Sequence, residues 1–319
     1  MRVPTRGDRV LNRRAKKVQS PTEQLFDKDF LARLERLHLL AKRMSVRRRA
    51  GTRRSRSMGD GLEFADHRGY APGDDIRFLD WPYYARMEKL LLRLFHQHSE
   101  ADVVIAMDCS GSMGADGAGG AARKFDYARR AAAALAYVAM GSLDRVTLVP
   151  FSDGPGRTLR TGRDRGKIFT VLDYLAGLGA GGRTDLTGCM HRLAGMYDSS
   201  ATVLLISDLL DCGGELSDAL AHLSAGEHDA TVLHVYSPAD ARGELDGSLL
   251  LEHSETSRRM RLFVTDEVRA SYRRQWALFR DGCRRSCISR GSTYVAACSD
   301  TPFEGLILHA LCKAGVLAG

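Results

Sequence analysis

The stretch DVVIAMDCSGSM, residues 102–113, decides the fold. Residues 103–107 are an unbroken apolar run, suited to a strand buried on both faces. The next part carries an oxygen-bearing side chain at every second position: Asp108, Ser110 and Ser112. In locally extended backbone, alternate side chains face one way, so these three converge beyond the strand's C-terminal end. Further strand patterns lie at 145–151, 201–207 and 230–236. Helical patterns lie at 124–142, 166–178, 186–197 and 215–224. Alternating strands and helices predict right-handed βαβ units and a mainly parallel α/β sheet. Residues 247–264 alternate as an inserted hairpin. A long charged helix over 266–290 comes next, then a strand at 293–297 and a helix at 303–314.

Two more oxygen donors fit the same end of such a sheet. Thr184 follows the Gly-rich run GLGAGG and opens a helix, and Asp208 ends the apolar run ATVLLIS. In a doubly wound sheet the ligand site lies outside the C-terminal strand ends, at the switch point. If 201–207 lies beside 102–108, Asp208 rises next to Asp108. Two carboxylates and three hydroxyls are hard donors, suited to Mg²⁺ or Mn²⁺ with water completing the shell. If one carboxylate acts only through water, the cation keeps an electrophilic open position. An Asp or Glu from an acidic partner would complete it.

The D-x-S-x-S stretch with a later Thr and a later Asp resembles the metal-ion-dependent adhesion site of von Willebrand factor A domains. The resemblance implies Asp108, Ser110, Ser112, Thr184 and Asp208 as ligands, the Ser and Thr oxygens binding directly and the carboxylates often through water. It also implies a Rossmann-like sheet flanked by helices. The preceding residues Arg68, Tyr70, Gly73, Asp74, Asp75, Arg77, Leu79, Asp80 and Trp81, then Ala85 and Arg86, resemble the signature of a bacterial domain-of-unknown-function family 58. That resemblance implies an adaptor or assembly cofactor of a MoxR-type AAA+ ATPase. It would be a metal-dependent protein–protein interaction module with no enzymatic activity of its own.

Composition sets the frame. With 319 residues, 44% hydrophobic and 27% charged, the chain can build a full core without metal or disulfide staples. The net charge of +8 is uneven: residues 1–60 hold 18 Lys and Arg against 6 Asp and Glu, so the remainder is mildly acidic. The expected organisation has three parts. A basic arm, helix and linker occupy 1–57. A small strand-containing module at 58–100 packs on the A-like domain, which spans 101–319. The linker, 43–56, shows no apolar period and no aromatics for base stacking, so nucleic-acid binding through 1–56 is the lesser reading. The longest uncharged run, 131–143, has 13 residues against the roughly 20 that a membrane span needs. The first 17 residues lack the apolar core of a secretory signal. Seven scattered Cys without a C-x-x-C pair suit a reducing cytoplasm.

Smaller signals carry less. Asp74, Asp75, Arg77, Asp80 and Arg86 are expected as structural Asp–Arg pairs fastening the module to the A domain, rather than a catalytic carboxylate set. Cys109 faces away from Asp108 by the same alternation. His96 and His98 share a face without a third ligand. A Mg²⁺-dependent phosphohydrolase with Asp108 as nucleophile is the enzymatic alternative, weakened by Ser110 standing where haloacid-type sites place a second Asp.

Overall fold

Residues 102–108 form the strand that the apolar run predicts, and both of its faces are covered. In a computed structural model the described residues are 21–51, 63–96, 102–114, 124–142, 144–162, 164–210, 212, 214–243, 247–256 and 258–313. The helices at the start are α1 (Pro21–Leu25) and α2 (Lys28–Gly51). Next come β1 (Glu63–Gly69), α3 (Trp81–Met87), β2 (Leu91–His96) and β3 (Asp102–Asp108). One helical turn, α4 (Gly111–Gly114), precedes α5 (Lys124–Gly141), β4 (Arg145–Phe151) and β5 (Leu159–Gly162). The middle of the chain holds α6 (Ile168–Ala176), α7 (Leu186–Ala194), β6 (Ala201–Ser207), α8 (Glu215–Ala225), β7 (Asp229–Tyr236) and α9 (Pro238–Arg242). The last elements are β8 (Gly247–Glu252), β9 (Arg259–Val264), α10 (Asp266–Ser289), β10 (Thr293–Cys298) and α11 (Phe303–Lys313).

The main sheet has six strands in the order β10-β7-β6-β3-β4-β5, all parallel except the β4–β5 pair. The period-two pattern of β3 splits its side chains between two cores. Val103, Ile105 and Met107 pack with residues of α5, α6 and α11 on one face. Val104 and Ala106 pack with residues of α7, α8 and α10 on the other. The result is the helix–sheet–helix sandwich that the alternation implied. The short antiparallel edge strand β5, LRTG, has only four residues, too few to carry a strand pattern.

Helix α5 is buried almost all round. Its Ala131–Ala134 run lies in the same core as Phe30, Leu34, Leu37 and Ala41 of α2, so α2 adds a further helix to this layer. Phe30, Leu31, Leu34, Leu37 and Leu40 follow three- and four-residue steps and predict one helix over 22–44; the observed helix differs in two ways. It breaks at residues 26–27, where the Asp27 carboxylate accepts from the Phe30 amide at 2.7 Å and starts α2 afresh. It also continues to Gly51, into the segment expected as a linker. Arg and Ala are strong helix formers, and no breaker intervenes before Gly51. The arm at 1–20 and residues 52–56 lie outside the described residues, as does His98.

Residues 63–96 form an antiparallel β1–β2 hairpin with α3 between its strands. The acidic signature residues serve local turns. Asp74 pairs with Arg68 at 2.8 Å and accepts from the Ala71 amide. Asp75 grips Arg77 and caps the turn at Ile76. Asp80 caps α3 and takes a 2.7 Å contact from His67. Against the expectation that these pairs fasten the module to the sheet domain, the pairs seen among the described residues lie within residues 63–96, and Trp81 is 55% exposed. No helix among the described residues is long and apolar enough to cross a membrane.

Candidate metal site

Parallel pairing places β3 directly beside β6, with Met107 opposite Ile206. Asp108 and Asp208 therefore end up side by side above the sheet, each almost fully buried. Asp108 Oδ1 accepts from the Ser110 amide at 2.8 Å, and its Oδ2 accepts from Ser207 Oγ at 2.6 Å. Ser110 Oγ and Ser112 Oγ share a hydrogen bond of 3.0 Å. Ser112 Oγ donates to Asp208 Oδ1 at 3.2 Å. Asp108, Ser110, Ser112 and Asp208 are thus gathered into one buried polar cluster.

The route to convergence differs from the expected one. The chain does not stay extended after β3. The bond from the Ser110 amide to the Asp108 carboxylate turns the backbone, and Ser112 sits in the single helical turn α4. A helical turn here has little local signal, because the clear apolar period begins only at Lys124. Cys109 faces the sheet's other side, as the alternation required. Burial pushes its thiol up to about 12.

Thr184 is brought up by backbone bonds: the Gly181 amide donates to the Cys109 carbonyl at 2.8 Å, and the Gly111 amide to the Gly182 carbonyl at 3.0 Å. Its hydroxyl does not join the four-residue cluster directly. Thr184 Oγ1 donates to Glu255 Oε1 at 3.0 Å, and the Thr184 amide contacts Glu255 Oε2 at 3.3 Å.

Three residues at the site carried no motif signal. Lys124, only 3% exposed, donates to Asp208 Oδ2 at 2.8 Å and lies 3.4 Å from Asp240 Oδ2. Burial works to lower its pKa, but Asp208 and Asp240 outweigh it, so the ammonium is held charged. A lone Lys opening an otherwise Ala-rich helix was the available hint. Asp240 comes from α9, and Glu255 comes from the tip of the β8–β9 hairpin. Only tertiary packing identifies these two.

Two carboxylates are buried close together at the rim of the sheet. Burial, then the neighbouring Asp208 charge, pushes the Asp108 carboxyl up to about 6. The Lys124 ammonium reaches Asp208 and Asp240, while Asp108 is held by the Ser110 amide and the Ser207 hydroxyl. Among the described residues no three His, Cys, Asp or Glu side chains group closely enough to hold a metal by themselves. A cation here would need hydroxyl oxygens as well, and Ser110 and Ser112 lie beside both carboxylates. Hydroxyl and carboxylate oxygens retain lone pairs beyond the bonds above, so the donor set fits a hard divalent ion.

Residues 66–281 match the family model described as Protein of unknown function DUF58. The chain belongs to this family. Its relatives include uncharacterized proteins of Mycobacterium tuberculosis (strain ATCC 25618 / H37Rv) and Mycobacterium bovis (strain ATCC BAA-935 / AF2122/97). Each is 26% identical over 269 residues, which cover 82% of this chain and 83% of the relative. Similar solved structures include an aerotolerance-related membrane protein from Bacteroides fragilis NCTC 9343, at 14% identity and a TM-score of 0.44, covering 67% of this chain and 98% of that one. The conserved hypothetical protein BatB from Bacteroides thetaiotaomicron, at 14% identity, gives 0.42 over the same shares, 67% and 98%. A von Willebrand factor type A structure from Catenulispora acidiphila gives 0.38 at 15% identity, covering 72% of this chain and 43% of that one.

Proposed function

We propose that this family member is a metal-dependent protein–protein interaction module. Asp108, Ser110, Ser112, Thr184 and Asp208 would hold Mg²⁺ or Mn²⁺ at the C-terminal rim of the sheet. One observation carries the reading: two buried carboxylates from neighbouring parallel strands, joined by the Ser110–Ser112 hydroxyl pair, at the place where such sheets bind ligands. When bound, the cation would supply a Lewis-acidic position for a partner's carboxylate. The protein's own groups do the rest. Ser207 orients Asp108, the α4 turn aims Ser112, and the Lys124 ammonium pairs with Asp208, where a cation would compete with it.

The partner class follows from the charge: an acidic side chain of a client protein. By the family resemblance, the chain would act as adaptor or assembly cofactor of a MoxR-type AAA+ ATPase. The ATPase would hydrolyse ATP while this chain presents the client.

Asp108→Ala and Ser110→Ala are expected to abolish Mn²⁺ uptake in calorimetric titration while circular dichroism keeps the folded spectrum. Partner capture should disappear in EDTA. Wild-type Mn²⁺ uptake in both variants, or capture unchanged by EDTA, refutes the reading.

A further inference from the structure

The β8–β9 hairpin stands apart from the six-stranded sheet, forming a two-stranded sheet of its own. Its register is continuous from Gly247 opposite Val264 to Glu252 opposite Arg259. The His253 amide then donates to the Arg258 carbonyl at 2.8 Å and closes the turn. This turn reaches the site at two points. The Ser254 carbonyl oxygen comes so close to Gly111 that a Cβ there would lie 2.7 Å from it, which explains the glycine in the D-x-S-G-S turn. The next residue, Glu255, places both carboxylate oxygens on Thr184.

An acidic side chain delivered to a donor group of the candidate metal site is the chemistry expected of an external partner. Here the chain delivers it to itself. We infer that Glu255 is a built-in ligand of the site: its carboxylate joins the metal shell, directly or through water, and holds the place that a partner's Asp or Glu takes. This inference rests on the proposed metal site and adds a residue and a competition to it. A partner must displace the hairpin tip to dock.

The construction suits displacement. Isolated two-stranded hairpins are marginally stable. This one leaves Leu250, Met260 and Phe263 more than half exposed. Its tip is held by side-chain and turn contacts, so it can lift without opening the main sheet. Elements that move in regulation come from such low-stability regions.

Mn²⁺ alone is the probe. Its affinity is measured by calorimetry for wild type, Glu255→Gln and Glu255→Ala, and hydrogen exchange of 247–264 is followed with and without Mn²⁺. Glu255 is half-buried on a turn, so both variants keep the core intact. The expected result is an affinity about 10- to 100-fold weaker in both variants, the range for losing a shell partner. Wild type should also gain exchange protection in the hairpin on adding Mn²⁺, and the variants should not. Wild-type affinity in both variants overturns the inference while leaving the metal reading intact. So does a wild-type hairpin whose exchange ignores bound Mn²⁺. A wild-type protein that takes up no Mn²⁺ overturns both.

Discussion

Lys124→Met is the most informative single change. The ammonium is 3% exposed and lies between Asp208 at 2.8 Å and Asp240 at 3.4 Å. Unit charges ~4 Å apart attract by about 4 kcal/mol at an effective dielectric near 20. Removing one partner of a buried pair costs about 3–5 kcal/mol, because the other charge stays behind uncompensated. Met matches the length of the Lys stem, so little cavity is added and the loss is mainly electrostatic. Urea unfolding in EDTA is expected to show a loss of about 3–5 kcal/mol. Mg²⁺ should then reverse part of it. A ligand at a hundred times its Kd stabilises the folded state by about 2.7 kcal/mol. The Mg²⁺-induced gain should be larger in the variant than in wild type, since the ammonium no longer competes for Asp208. A loss below about 1 kcal/mol in EDTA refutes the buried-pair account. A Mg²⁺ gain no larger than in wild type refutes the link between Lys124 and the cation position.

Two further outcomes are expected. Leu34→Ala on α2 removes a side chain that is 1% exposed in the core shared with α5, and chemical denaturation should register a loss of about 2–5 kcal/mol. A loss under about 0.5 kcal/mol would mean that α2 is not part of the domain's core. Burial, helped by Arg280, pushes the His234 imidazole down to about 4. Its unfolded value is near 6.5, so the unfolded chain takes up this proton first as pH falls. The stability contributed by keeping His234 neutral is present above pH ~6.5 and is lost on the way down to ~4, on the order of 3 kcal/mol. Asp108, raised to about 6, has the opposite sign, its contribution being lost as pH rises through that value. The difference between wild type and His234→Gln across this interval isolates the histidine. Parallel stability–pH curves for the two proteins would contradict its burial as a neutral ring.

Local pattern alone was enough for the βα alternation and for the meeting of Asp108, Ser110, Ser112 and Asp208 at one end of the sheet. Apolar runs and alternating oxygen side chains are short-range signals, and the hydrophobic effect acts on them wherever they occur. Asp108, Ser110 and Ser112 are neighbours in the chain, and the parallel-sheet rule brings Asp208 to them. What tertiary structure decided depends on distance across the fold. The α2 helix found its place only because α5 needed cover on the face away from the sheet. The D-x-S-x-S donors converge through a helical turn rather than extended backbone, because one carboxylate–amide bond outweighs the local preference. Lys124, Asp240 and Glu255 reach the site from separate elements: α5, α9 and the hairpin tip. A charged residue on a helix or turn looks solvated until packing removes its water, and that removal depends on every element around it.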